Sequence, residues 1–244
     1  MLAVFIHVGQ TANIPPKGRN PIFSDGSFKF VQAYFPNPRP SDPTYEQLGL
    51  GDLVNQQYRQ SVAFQSPEFQ TLTYNHATRG GQGKIYERLR QEKGYLMFLS
   101  TLYYQNKERP VLEEISMNQG LFIVGYFNVE GVYRNDEVFS DEKLQNRFKA
   151  NGQLGRKDEN GNEKGADWWI SGSSGCLFPK AVPLTEASNH HKWNKFSLAD
   201  LTTTGNKPLS NDREKIMYNW TLTCSQQNLP SLKSWILKFN GINI

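Results

Sequence analysis

The densest chemistry in the chain lies in "TYNHATRGG", residues 73–81. His76 stands there between Tyr74 and Arg79, with glycines that let a ligand approach the backbone. An imidazole whose unperturbed pKa lies near neutrality can take or give a proton at physiological pH. With a carboxylate such as Asp25 or Glu68, these residues form an acid–base set of His76, Tyr74 and Asp25, and Arg79 is placed to touch a ligand. His7 sits in an apolar run and is expected as a hydrogen-bonded core residue. His190 and His191 precede Lys192 and Trp193, an arrangement suited to a phosphate contact or to a solvated loop. No HxH or HExxH spacing occurs, so no metal site is expected. There is no GxSxG, and Cys176 has no base near it in sequence, which disfavours a nucleophilic hydrolase.

Trp168 and Trp169 are adjacent on an expected strand, so their rings point to opposite faces. One fits the core. The other fits a surface, a domain contact or a pocket, and an aromatic wall holds a flipped or single-stranded base at about 1–3 kcal/mol per stacked base. "SGSSG", residues 171–175, reads as a hairpin turn whose Ser171, Ser173 and Ser174 could also cradle a phosphate, with Lys180 near its base. It lacks the Lys-Ser/Thr of a P-loop, so nucleoside triphosphate binding has no support. The loop "PPKGRN", residues 15–20, offers Lys17 and Arg19 to a nucleic-acid backbone, as do Lys180, His190 and Lys192. Such contacts add affinity without sequence information. Asn20 and Tyr103 complete the ligand-facing candidates.

These residues need elements to hold them. "AVFIHVG", residues 3–9, reads as a buried strand. Asp25-Gly26 between Ile22-Phe23 and the alternating Phe28 and Phe30 signals a tight hairpin. A proline-rich connection with one helical turn follows, then an irregular stretch to residue 83. "KIYERLRQEK" predicts a short helix closed by Gly94. Residues 95–104 and 120–133 predict two long strands, in which Gly120 and Gly125 mark a bend, a bulge or a close ligand. Residues 136–152 predict a helix and 167–184 two short strands about the Ser/Gly turn. The last fifty residues read as helices, with Ser210 or Asn211 capping one and Ser231 another. The order predicts an α+β fold with a mostly antiparallel, barrel-like sheet. The expected division is a domain over residues 1–190 and a helical C-terminal extension over 191–244 packed on it.

Composition bounds the function. The 244 residues are 37% hydrophobic, 13% aromatic and 20% charged, which suits an ordered core rich in rings. A net charge of +4 permits a polyanionic partner without requiring one. Two isolated cysteines argue against a disulfide framework and suit a reducing compartment. The first residues have no basic flank and too short an apolar run for a signal peptide or membrane span. A cytoplasmic protein with no membrane association is expected.

The motif order "GLFIVGYFNVEGVYRND", then "WWISGSSGCLFPKAVPL", resembles the core of PUA-like folds, the EVE, ASCH and YTH group. More specifically, the chain resembles the third nucleotide-modification-associated domain family. The matching stretches are "NPIFSDGSFKFV" (20–31), "SPEFQTLTY" (66–74), "KGYLMFLSTL" (93–102), "LFIVGYFNVEGVY" (121–133) and "SGSSGCLFPKAVPL" (171–184). Two positions depart from the family pattern. Tyr95 follows Gly94 where the family tends to carry Asp, and Asn75-His76 stands where it favours Gly-Asp. The resemblance implies a PUA-like barrel that binds or senses a modified nucleobase in nucleic acid, DNA first, in a setting of DNA modification or anti-phage defence. The alternative is an enzyme acting on a modified base, nucleotide or DNA-linked sugar, with His76 as acid or base. No cofactor is expected.

Overall fold

The computed structural model describes residues 1–8, 19–32, 42–63, 66–76, 83–105, 119–151, 154, 166–186, 189–194, 201–203 and 222–244. Lys17, Arg79, Ser210 and Asn211 lie outside them, as do the side chains of His190 and Lys192.

Strand β1 (Leu2–His7) lies parallel to β4 (Gly94–Tyr104), with Leu2 opposite Gly94 and His7 opposite Leu99. Every residue of β1 from Leu2 to Ile6, and of β4 from Gly94 to Tyr103, is buried. The reason lies in the two layers that cover the sheet. Leu2, Val4, Ile6, Leu96 and Phe98 face one apolar cluster; Ala3, Phe5, Tyr95, Met97 and Leu99 face another. A strand buried on both faces reads as a continuous apolar run rather than an alternating one. Helix α1 (Gly83–Glu92) closes the first layer with Ile85, Tyr86 and Leu89. The second layer is closed by the C-terminal helix α4 (Leu229–Asn240), through Leu229, Leu232 and Ile236 at helical spacing.

The short β2 (Pro21–Ile22) pairs in parallel with Tyr103 and Tyr104 at the far end of β4. Its turn is the one expected at Asp25-Gly26: Ser27 donates to Asp25 Oδ1 at 2.9 Å from the backbone and 2.7 Å from the hydroxyl, and Ile22 bridges Phe28. Strand β5 (Gln119–Arg134) runs antiparallel to β4 and to β6 (Trp168–Pro183). At the sheet's edge, β3 (Thr73–His76) pairs with β6, setting His76 opposite Trp168. On the other side β9 (Leu201–Thr203) and β10 (Leu222–Cys224) extend β1, giving the order β3-β6-β5-β4-β1-β10-β9. Strands β7 (Thr185–Glu186) and β8 (Asn189–Trp193) pair separately.

The fold is therefore α+β, and several expectations change in detail. The sheet is mixed, because β1 and β2 lie parallel to β4, and no pairing among the described residues joins its edge strands into a barrel. Residues 168–183 form one long strand rather than two about a turn, since β5 pairs with it through the Ser/Gly stretch to Leu177 and again at Val182 and Pro183. The helix expected over 136–152 is two, α2 (Asn135–Ser140) and α3 (Glu142–Phe148). Asp141 takes an extended conformation between them, and its carboxylate accepts from the Lys143 and Leu144 backbone at 2.8 and 3.4 Å. An Asp that caps one helix ends the one before it. After residue 190 the described chain contributes strands as well as α4, and Ser231 lies inside that helix, whose N-cap is Asn228.

Two glycines are required by close approach. Helix α1 ends with Lys93 in the left-handed region (φ 57°), so Gly94 is not its cap; a Cβ on Gly94 would stand 1.9 Å from the Leu2 carbonyl oxygen. A Cβ on Gly125 would meet the Cys176 carbonyl oxygen at 2.6 Å and the Phe69 ring at 2.8 Å. Of the roles open to Gly125, the packing of Phe69 against Phe98 and Phe127, with centroids 5.4 Å apart in each pair, fills the space a ligand would need.

Candidate functional site

The β3–β6 register brings the chemically suggestive residues together. His76 Nδ1 lies 2.8 Å from the Tyr86 hydroxyl on α1 and 3.3 Å from the Tyr74 hydroxyl. Tyr86 in turn stacks on Trp168, with centroids 5.8 Å apart and planes inclined by 28°. Burial pushes both phenols up from the usual tyrosine range, and the nearby Tyr74 adds to the shift of Tyr86. Burial also lowers the His76 pKa to about 4, against an opposing pull from the Asp167 carboxylate. At neutral pH the ring is therefore uncharged. A neutral imidazole that accepts a phenol proton at Nδ1 carries its own proton on Nε2. A base with a pKa near 4 is a poor proton acceptor at pH 7, so the trio is better suited to holding a polar atom than to moving protons.

The two indoles separate as strand alternation requires, but neither is an open platform. Trp169 is fully buried under α2 and α3, against Phe148 (5.2 Å between centroids) and Phe139 (6.3 Å). Trp168 is 5% exposed. The Arg134 guanidinium lies 5.2 Å from its ring centroid, held by an ion pair with Glu87 of α1. A guanidinium over an indole face is attracted by the negative face of the ring. Arg90 and Glu137 add a second link between α1 and α2, two hydrogen bonds of 2.6 and 3.0 Å that hold the Glu137 carboxyl below the usual range.

Beside Trp168 opens a cleft of about 570 Å³, lined by Arg134, Asn135, Asp136, Phe139, Asp167 and Trp168. This volume lies within the span of small-ligand sites. The cleft combines aromatic edges, a guanidinium, an amide and two carboxylates. Of these only Trp168 was singled out from the sequence. The others come from the β5–α2 junction and the residue before β6, where polar residues read as ordinary turn formers.

The remaining candidates lie elsewhere. Asp25 is on the exposed hairpin, whose Gly26 carbonyl accepts from Ala181 near the far end of β6, so it does not join His76. Lys180 stands beside that turn, its stem 3.6 Å from a Cβ placed on Gly26. Glu68 accepts from the Gln70 backbone at 3.0 Å and from Thr71, and is a turn former. Asn20 is fully buried, donating to Ser100 Oγ at 2.9 Å and accepting from the Val31 backbone at 2.7 Å. Arg19 lies over the Tyr103 ring at 5.3 Å. Ser171 is buried in β6, with its hydroxyl 3.4 Å from Glu130 Oε2. Ser173 and Ser174 are exposed on the same strand, so the hairpin turn expected there is part of β6. His7 Nε2 lies 3.2 Å from the Thr101 hydroxyl, and Cys176, half-buried, has its thiol pKa raised by desolvation.

A mixed-sheet α+β protein with a small aromatic and polar cleft at one sheet edge is the class these features define. The chain belongs to the nucleotide modification associated domain 3 family, whose model matches residues 3–234, nearly the whole of it. The match extends well beyond the stretches that carry the resemblance in the sequence and takes in β10 and half of α4. No curated protein and no solved structure matches the chain. Among the described residues, no helix is long and apolar enough to cross a membrane.

Proposed function

We propose that this protein binds a modified nucleobase in DNA, using the cleft beside Trp168, and so senses DNA modification in the cytoplasm. The cleft itself carries the reading: aromatic edges from Trp168 and Phe139 stand next to hydrogen-bonding groups of both polarities in a volume of about 570 Å³. A base is flat, apolar on its faces and lined with donors and acceptors at its edge, and an extruded base is read by its edge and its stacking partners. Membership of a family associated with nucleotide modification supports the same substrate class. In this reading β4, β5 and β6 form the PUA-like element that presents the base. The net charge of +4 is compatible with a polyanion, and Lys17, Arg19, Lys180, His190 and Lys192 are the basic residues this reading assigns to phosphates.

A second reading is chemistry on the base, for which one observation speaks: His76 Nδ1 is within hydrogen-bonding reach of two tyrosine hydroxyls at the same edge. It ranks second because none of the three groups titrates near pH 7.

One experiment separates the two. Single-stranded oligodeoxynucleotides with and without 5-hydroxymethylcytosine are titrated at low and high salt, and recovered for mass measurement. The expected result is modification-dependent binding that weakens with salt, with the oligonucleotide mass unchanged. Failure to bind either DNA at low salt would overturn the proposal; a mass change would move the assignment to catalysis; tighter binding to the RNA counterpart would replace DNA as the partner.

A further inference from the structure

Asn135 opens α2 and lines the cleft. Its Oδ1 lies 3.0 Å from Trp169 Nε1 across the strand–helix junction. An indole nitrogen only donates, so the amide atom facing it must be the oxygen. Trp169 is fully buried between Phe148 and Phe139 and cannot turn away. The usual ambiguity of an asparagine side chain, which reads donors and acceptors equally well after a flip, is therefore removed. Asn135 Nδ2 has no hydrogen-bond partner among the described residues and is not among the buried atoms left without one. It therefore keeps some contact with solvent, and Asn135 is one of the residues that line the cleft. Asp136, next along the chain and exposed on the same cleft, presents only acceptors when ionised.

Resting on the proposed base-binding role, we infer that Asn135 is a specificity-determining residue: a hydrogen-bond donor of fixed orientation that selects an acceptor atom, a ring nitrogen or carbonyl oxygen, on the edge of a bound heterocycle. Asp136 then accepts from a neighbouring N–H of the same edge. The indole of Trp169 is the positioning group that locks this polarity. A ligand offering only donors meets Nδ2 with no partner, and leaving a desolvated polar group unpaired is what makes polar sites selective.

The test uses the full chain and four neutral nucleosides, uridine, guanosine, cytidine and adenosine, so that phosphate contacts do not enter. In Asn135→Asp, one carboxylate oxygen still accepts from Trp169 Nε1, while the group facing the cleft changes from donor to acceptor. The expected result is at least a tenfold loss of affinity for whichever nucleosides the native protein binds, with an unchanged melting temperature and indole emission maximum. Asn135→Ser, too short to reach, is expected to lose affinity as well and carries the test if the Asp variant does not fold. Native affinity in both variants would overturn the inference and leave the base-binding reading intact. Absence of binding by the native protein to every nucleoside and to the oligonucleotides would remove both.

Discussion

At the Gln119 end of the β5 ladder, where Tyr103 of β4 is its partner, the polar residues serve the fold: Asn20 joins Ser100 to the Val31 backbone, and Asp25 ties its own turn. At the Arg134 end, opposite Trp168, they lie on a cleft: the Asn135 amide nitrogen has no partner among the described residues, and Asp136 is exposed. The two ends are separated by the length of β5, about 50 Å of chain at roughly 3.3 Å per residue. Polar residues at both ends look alike in the sequence. What separates them is whether their hydrogen-bonding capacity is already spent, because a buried amide with both ends bonded has nothing left for a ligand.

The comparison breaks most readily at Asn20. Replacing it with Ala strands the buried Val31 N–H and removes the bond to Ser100 Oγ. A loss of about 3 kcal/mol is expected for two such groups, read by urea denaturation, with nucleoside affinity of the folded fraction unchanged. Loss of affinity at native stability would place Asn20 with the ligand groups instead.

The next effect is on pH dependence and belongs to the cleft end. His76 has a folded pKa of about 4 against an ordinary 6.5. Between those values the unfolded chain binds a proton that the folded chain does not, so stability falls as pH drops from 6.5 towards 4 and loses nothing more from this group below that. The full conversion is discounted because the ring, though mostly buried, keeps some contact with solvent, leaving about 2 kcal/mol. Denaturation curves at pH 7 and 4.5 should show that loss, and His76→Gln should flatten it. An equal slope in the variant would place the proton uptake elsewhere.

Much of the sheet was legible because its central strands are buried on both faces, which leaves a continuous apolar run in "LAVFI" and "YLMFLSTL". Strand β6 was harder to read. Ser173 and Ser174 face solvent and carry no apolar signal, so "SGSSG" resembles a turn although the neighbouring β5 supplies the hydrogen bonds. Strands β9 and β10 are three residues each, and their place beside β1 is set by tertiary pairing rather than local pattern. At the candidate site, Trp168 and His76 stood out by residue type alone. Asn135 did not, because its fixed polarity depends on Trp169, which follows it by 34 residues and meets it only through the fold.

The smallest effect is expected at Asp25, the carboxylate that sequence pattern placed in the acid–base set. Its oxygen accepts from the Ser27 backbone and hydroxyl, bonds that hold the carboxyl below the usual aspartate range, with Lys180 adding a weaker pull. The residue is exposed, and the hairpin it shapes docks through the Gly26 carbonyl on Ala181, at the opposite end of β6 from Trp168. Asp25→Ala should therefore lower the melting temperature slightly and leave nucleoside binding and its pH profile as in the native protein. A binding defect in this variant would mean that the two ends act together on one ligand, since among the described residues no hydrogen bond of the turn reaches a residue that lines the cleft.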